Sequence, residues 1–270
     1  MSVTYDFGGQ TVIVTGAARG VGRVIVERFV EAGAAVVAAD RDEAGLAETV
    51  APLPGDRVAA VAADVSEEAG ATVIVGAAVG RFGRLDVCVN DAAVAPHAAL
   101  LDERAEVWDR IFAVNCRGTF LMTQAAARAM IDGGRGGRIV NFSSGVSTKG
   151  SPGAAAYAAS RAATEAFSRV AAIELAPHDI LVNTVSPGLI DTQPKPLPPY
   201  MAASLAERIP ALPLARPGQP DEVADLVLFL ASAASGYIAG VVIAIDGGSG
   251  IGGRPRGPVI DDDPRYDWVT

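Results

Sequence analysis

The run Thr11-Val-Ile-Val-Thr15 has no polar alternation, and a glycine-rich turn, Gly16-Ala-Ala-Arg-Gly20-Val-Gly22, follows it at once. A short β-branched run of this kind suits a parallel strand buried on both faces. A helical pattern covers 21–32 and closes at Gly33. A second apolar run then ends in an acid, Asp40. Strand, glycine turn, helix and strand together give a glycine motif the context it needs to be read as a phosphate-binding turn.

The alternation continues along the chain. Apolar strand patterns cover 57–63, 85–90, 138–143, 180–185 and 241–245. Helical patterns cover 66–79, 104–131, 155–176 and 220–230, and Ser66 is the expected N-cap of the first of these. Seven buried strands alternating with helices predict an α/β, doubly wound Rossmann-type fold with a seven-stranded parallel sheet flanked by helices. Residues 1–250 form one dinucleotide-binding and catalytic domain, with a proline-rich substrate loop at about 189–215. The glycine- and proline-rich tail, 251–270, carries Tyr266 and Trp268 and is expected either to be disordered or to fold over an active site.

Composition bounds the function. The 270 residues are 50% hydrophobic and carry a net charge of −9, so the chain has no basic footprint for nucleic acid. No apolar run reaches membrane-spanning length, and the N-terminus does not read as a leader, so a cytoplasmic protein without a membrane partner is expected. Cys88 and Cys116 lack metal-ligand spacing, and no metal is expected. Of the 22 basic residues only Lys149 and Lys195 are lysine.

The strand ends supply a cofactor site. Gly16, Gly20 and Gly22 let backbone amides approach a pyrophosphate. Asp40 stands where an acid hydrogen-bonds the adenosine ribose and repels a 2′-phosphate, which favours NAD over NADP; Arg19 and Arg41 lie close enough to soften that preference. Asp64 and Val65 follow the third strand, where an adenine pocket would have its wall. Asn90-Asp-Ala-Ala93 follows the fourth.

A chemical site stands beside it. Ser144 follows the fifth strand, and Tyr157 and Arg161 lie four residues apart on one face of the next helix. A hydroxyl, a phenol and a fixed cation suit acid–base work on a carbonyl or an alcohol. A tyrosine has a reference pKa of about 10, so use near neutrality needs a nearby positive charge.

As a set, Thr15-Gly16-Ala-Ala-Arg-Gly20-Val-Gly22, Asp64, Asn90, Asn115, Ser144, Tyr157 and Pro187-Gly188 resemble the short-chain dehydrogenase/reductase pattern over residues 10 to about 250. The resemblance implies a nicotinamide cofactor, a reversible reaction of a small-molecule secondary alcohol or ketone, and a homotetramer or homodimer. It implies Tyr157 as general acid/base, Ser144 polarising the substrate oxygen, and Asn115 holding a relay water. It further implies cofactor contacts from Val21, Ala92, Tyr157, Pro187, Gly188, Ile190 and Thr192.

Two departures stand out. The usual lysine four residues after the tyrosine is Arg161, which keeps the charge but cannot give up a proton. The usual asparagine, alanine, glycine after Asn90 is Asp91-Ala-Ala93, and Ala93 adds a methyl group beside the cofactor ribose. Lys149 and Lys195 are candidates to meet an anionic substrate group or to supply the missing amine. His97 reads as a loop residue able to hydrogen-bond substrate. Two other functions fit the same residues: a non-redox dehydration, cyclisation or isomerisation using Tyr157, or cofactor binding without turnover.

Overall fold

The strands are short because each is closed off by the turn that leads to the next helix, and the two edge strands, β3 and β7, are only partly buried, unlike the central five. The computed structural model describes residues 4–192, 197 and 199–253. The seven strands are β1 (Thr11–Thr15), β2 (Ala35–Asp40), β3 (Val58–Ala62), β4 (Val87–Asn90), β5 (Gly137–Phe142), β6 (Ile180–Pro187) and β7 (Val242–Ile245). They form one sheet of order β3-β2-β1-β4-β5-β6-β7, and every pairing is parallel. The helices are α1 (Gly20–Glu31), α2 (Glu43–Val50), α3 (Glu68–Phe82), α4 (Ala105–Phe112), α5 (Thr119–Gly133), α6 (Ala155–Leu175), α7 (Pro199–Arg208) and α8 (Pro220–Ala231).

Successive strand side chains point to opposite faces, so β1 serves two cores. Val12 and Val14 pack with Ile25, Phe29, Val223 and Val227 of α1 and α8. Ile13 packs on the other face with Ile74, Met122, Ile139 and Val182, beneath α3 and α5. This double burial is why the strands read as unbroken apolar runs. The strand order reverses between β1 and β4, which opens a crevice above their carboxyl ends.

Several sequence expectations are corrected. Ser66 does not cap α3. Its amide and hydroxyl both donate to Asp64 Oδ1, at 2.9 and 2.7 Å, and α3 starts at Glu68 with no side-chain cap. The aspartate competes locally for the serine and wins. The helix expected over 104–131 is α4 and α5 joined by a π-helical segment, Ala113–Gly118, that contains Asn115. Two short helices went unforeseen. One is α2, capped by the Asp42 side chain. The other is α7, which opens on a proline inside the segment read as loop; a proline suits a first helical turn, where its missing N–H costs nothing. Lys195, Tyr266 and Trp268 lie outside the described residues.

Candidate active site

The crevice above β1 and β4 is a cavity of about 710 Å³, a size suited to a small-molecule or cofactor site. Gly16, Arg19, Gly20, Val21, Asp40, Arg41, Asp64, Val65, Ala92, Ser144, Tyr157, Arg161, Pro187, Gly188 and Thr192 all line it. Both halves of the site read from the sequence, the dinucleotide half and the chemical half, therefore open into one space.

The dinucleotide half is shaped by backbone. Gly16 and Gly20 have φ of +73° and +59°, a region side chains rarely adopt. A Cβ on Gly16 would lie 2.9 Å from the Ala92 nitrogen, and one on Gly22 would lie 2.2 Å from the Gly16 carbonyl oxygen. Gly22 itself is buried beneath the turn, so its task is to let the turn close. Asp40 is held by two backbone amides: Ala18 donates to Oδ2 at 3.1 Å and Asp42 to Oδ1 at 3.0 Å. The carboxylate is thereby fixed at the lip of the glycine turn, while Arg19 and Arg41 lie exposed beside it.

Asp64 is clamped. Besides the two bonds from Ser66, Arg110 Nη2 donates to its Oδ2 at 2.8 Å, and Arg110 Nη1 donates to the Ser66 hydroxyl at 3.0 Å. Burial works to raise the Asp64 carboxyl, but the Ser66 hydroxyl, the Arg110 guanidinium and the Ser66 amide outweigh it and hold the group down at about 2. Arg110 lines the cavity and escaped the sequence reading. The only signal for it was an acid at a strand end with no local cation to balance it.

The chemical half is set by β5 and α6. Ser144 follows β5 and precedes a 3₁₀ turn at Gly145–Ser147. That turn is tied down by Glu165, one helical turn beyond Arg161, which accepts from the Ser143 and Ser147 hydroxyls at 2.5 Å each. Arg161 is only 3% exposed. Its Nη1 donates to the Phe142 carbonyl at 2.7 Å, and its guanidinium carbon stands 5.3 Å from the centre of the Tyr157 ring. A planar cation stacks on an aromatic face in a way an ammonium does not. The arginine is therefore anchored to the end of β5 and packed against the phenol, while its Nε is buried with no hydrogen-bond partner among the described residues.

Four expected residues stand behind the wall. Asn115 is fully buried. Its Nδ2 donates to the Val94 carbonyl at 2.9 Å and to the Ser160 hydroxyl at 3.2 Å, and its Oδ1 accepts from the Val94 amide at 2.9 Å. Its side chain thus pins the loop after β4. Its carbonyl accepts from the Thr119 and Thr164 hydroxyls, at 2.8 and 3.2 Å. Asn90 donates to Asn141 Oδ1 at 2.9 Å and to Thr123 at 3.3 Å, fastening β4 to β5 and α5. Gly22 and Ile190 complete the four; Ile190 packs against the core and bridges to Gly218.

Lys149 and His97 are absent from the cavity lining, and Lys149 Nζ donates to the Ser249 carbonyl at 3.0 Å. Cys88 is buried in β4, and burial pushes its thiol up to about 12, as suits an inert core residue. Asp91 is the residue the sequence reading undervalued. It lines the cavity, and burial pushes its carboxyl up to about 7, against the pull of Arg161 and the Gly22 amide and with a further push from Asp40.

Comparison with known proteins agrees with this geometry. A family profile described as enoyl-(acyl carrier protein) reductase matches residues 16–250. The (3R)-3-hydroxyacyl-CoA dehydrogenase of Rattus norvegicus is 40% identical over 247 residues, covering 87% of this chain and 94% of the relative. The crystal structure of a short-chain type dehydrogenase/reductase from Mycobacterium marinum superposes with a TM-score of 0.83 at 37% identity, covering 90% of this chain and 96% of that one. A 3-ketoacyl-(acyl-carrier-protein) reductase from Brucella melitensis, solved in complex with NADH, gives a TM-score of 0.83 at 32% identity, covering 90% of this chain and 99% of the other.

Proposed function

The chain belongs to the short-chain dehydrogenase/reductase family and is an enzyme of that type, and from that premise we propose that it moves a hydride between NAD(H) and a secondary alcohol or ketone. The observation that carries the proposal is the single cavity in which Ser144, Tyr157 and Arg161 face the glycine turn of the dinucleotide half.

The residues fit the cofactor. A Cβ at Gly16 or Gly22 would collide with backbone, so glycine lets the turn close and bring the start of α1 up to a pyrophosphate. The nicotinamide ring, when bound, supplies the hydride acceptor or donor. Everything else falls to the protein. In the reducing direction Ser144 donates a hydrogen bond to the substrate carbonyl oxygen, and Tyr157 gives that oxygen its proton. In the oxidising direction Tyr157 takes the proton back. Arg161 favours the phenolate that remains, through a fixed charge rather than a titratable one. Asn115 acts at one remove, by holding Val94 and Ser160 in place.

Asp40 supports NAD over NADP. Its oxygens are fixed by the Ala18 and Asp42 amides, and an acid so placed accepts from ribose hydroxyls and repels a 2′-phosphate. The names of two relatives point to 3-oxoacyl and 3-hydroxyacyl thioesters as the first substrates to try. Phe120, Val170 and Ile173, exposed on α5 and α6, give a second copy of the chain an apolar surface to cover.

The test is a panel of 3-oxoacyl thioesters, ketones and secondary alcohols, followed by nicotinamide absorbance, with equilibrium binding of NADH and NADPH measured separately. Hydride transfer is expected. Tyr157→Phe should lower kcat by about 10²–10⁴-fold and leave NADH affinity near the wild-type value. Dinucleotide binding without transfer across the panel would overturn the redox reading.

A further inference from the structure

Asp91 is the first residue after β4, at the point where the strand order reverses. Its main chain presses on the glycine turn: a Cβ on Gly16 would stand 3.1 Å from the Asp91 carbonyl carbon. Its side chain reaches the start of α1, with Oδ2 only 3.0 Å from where a Gly22 Cβ would be, and the Gly22 amide favours the ionised carboxyl. Gly22 is the third residue of α1. That helix has no acidic residue in its first turn, and its own N-cap, Arg19, makes no side-chain cap bond. The carboxyl that lies beside its first turn comes instead from the end of β4.

The consequence is electrostatic. The positive end of a helix attracts one anion nearby at far lower cost than two. In this cavity the glycine turn directs a pyrophosphate at the same helix end that Asp91 already occupies. An ionised Asp91 cancels part of the helix field and repels the phosphates, whereas a neutral carboxyl does neither.

The charged groups facing Asp91 come from several elements. Arg161 on α6 attracts its anion and Asp40 at the end of β2 repels it. Arg19 before α1, Arg41 after β2 and the Tyr157 phenol line the same cavity. Burial is the dominant influence and disfavours the anion.

Resting on the cofactor reading above, we propose that Asp91 makes dinucleotide binding proton-linked: the neutral carboxyl is the binding-competent form, and the site takes up a proton when the dinucleotide arrives at a pH where Asp91 is ionised. The free group sits at about 7, so the competent fraction falls from about nine tenths at pH 6 to about one tenth at pH 8, and the apparent Kd rises about tenfold over that interval. At lower pH the affinity levels off.

The experiment is isothermal titration of the full-length protein with NADH, and in parallel with NADPH, from pH 5.5 to 8.5. Each titration is run in two buffers of different ionisation enthalpy, so that proton uptake is read directly. Wild type is expected to weaken about tenfold between pH 6 and pH 8, with net proton uptake above pH 7. Asp91→Asn keeps a neutral acceptor for the Gly22 amide and should bind with a flat profile and no linked proton. The difference between the two proteins removes any titration that belongs to the ligand. A wild-type Kd independent of pH, or an Asp91→Asn variant that keeps the wild-type slope, overturns the inference. The wild-type proton count decides it even if the variant does not fold. Failure of both dinucleotides to bind at pH 6 instead overturns the cofactor reading itself.

Discussion

Removing the charge beside Tyr157 while keeping the bulk of the side chain is the sharpest perturbation the site offers, and Arg161→Met does that. The guanidinium carbon is 5.3 Å from the phenol ring centre. At an effective dielectric near 20, a unit charge on the order of 5 Å from the charge that develops on the phenol oxygen favours the transition state by about 3 kcal/mol. Because about 1.4 kcal/mol is tenfold in rate, kcat/KM should fall about 100-fold. Arg161→Lys keeps the charge and should stay within about tenfold of wild type. A folding cost accompanies the methionine. The Phe142 carbonyl loses its 2.7 Å bond, which costs about 1–3 kcal/mol for a buried acceptor; the loss of an unpartnered buried Nε offsets part of it. The assay is kcat/KM on the first substrate the panel turns over, with circular dichroism and thermal melting to establish that each variant is folded. A folded Arg161→Met enzyme within about fivefold of wild type would refute the electrostatic argument. So would a lysine variant that loses as much as the methionine, since fit rather than charge would then be the arginine's contribution.

The glycine turn and the adenine-side clamp give two further expectations. Gly22→Ala places a methyl 2.2 Å from the Gly16 carbonyl oxygen, so it should cost about 1–3 kcal/mol in melting experiments and weaken dinucleotide binding more than tenfold. Gly76→Ala, in the exposed interior of α3 with nothing near the new methyl, should instead stabilise by about 0.5–1 kcal/mol. Asp64 is held at about 2, below its ordinary 3.8, so its contribution is complete above pH 4 and is lost as pH falls towards 2. Urea midpoints should therefore show Asp64→Asn less stable than wild type by about 1 kcal/mol at pH 6, a value discounted for the partial exposure of the pair. The gap should close as pH falls through and below 2, and a gap of full size at pH 2 would remove the Arg110 clamp as its cause.

The sequence was most legible where one local rule governs. The central strands were readable because they are apolar on both faces, and Val12, Ile13 and Val14 are fully buried on alternating sides; the edge strands β3 and β7 were read from their apolar runs although they are only partly buried. Gly16, Asp40 and Ser144 stand out because each follows or ends a strand, and strand ends in this fold gather at one edge; Tyr157 stands out by its place in the first turn of α6. Legibility failed where two local rules competed. Ser66 looked like a helix cap, but Asp64 is two residues away and accepts both of its donors. The prolines before α7 looked like loop, although one of them opens a helix. Arg110 was invisible because its partner Asp64 lies 46 residues earlier.

By itself, then, the sequence determined the family, the succession of the seven strands, and which residue types stand at the strand ends. It also showed that arginine replaces lysine at 161 and aspartate stands at 91. What those two departures mean was decided only by the tertiary structure. Arg161 is held against Tyr157 because the end of β5 offers it a carbonyl and Tyr157 offers it a ring face. At Asp91, burial at the end of β4 beside the start of α1 raises the carboxyl despite the pull of Arg161. Charge is written in the sequence, but its cost depends on which groups and how much water surround it, and those are fixed only when distant segments meet.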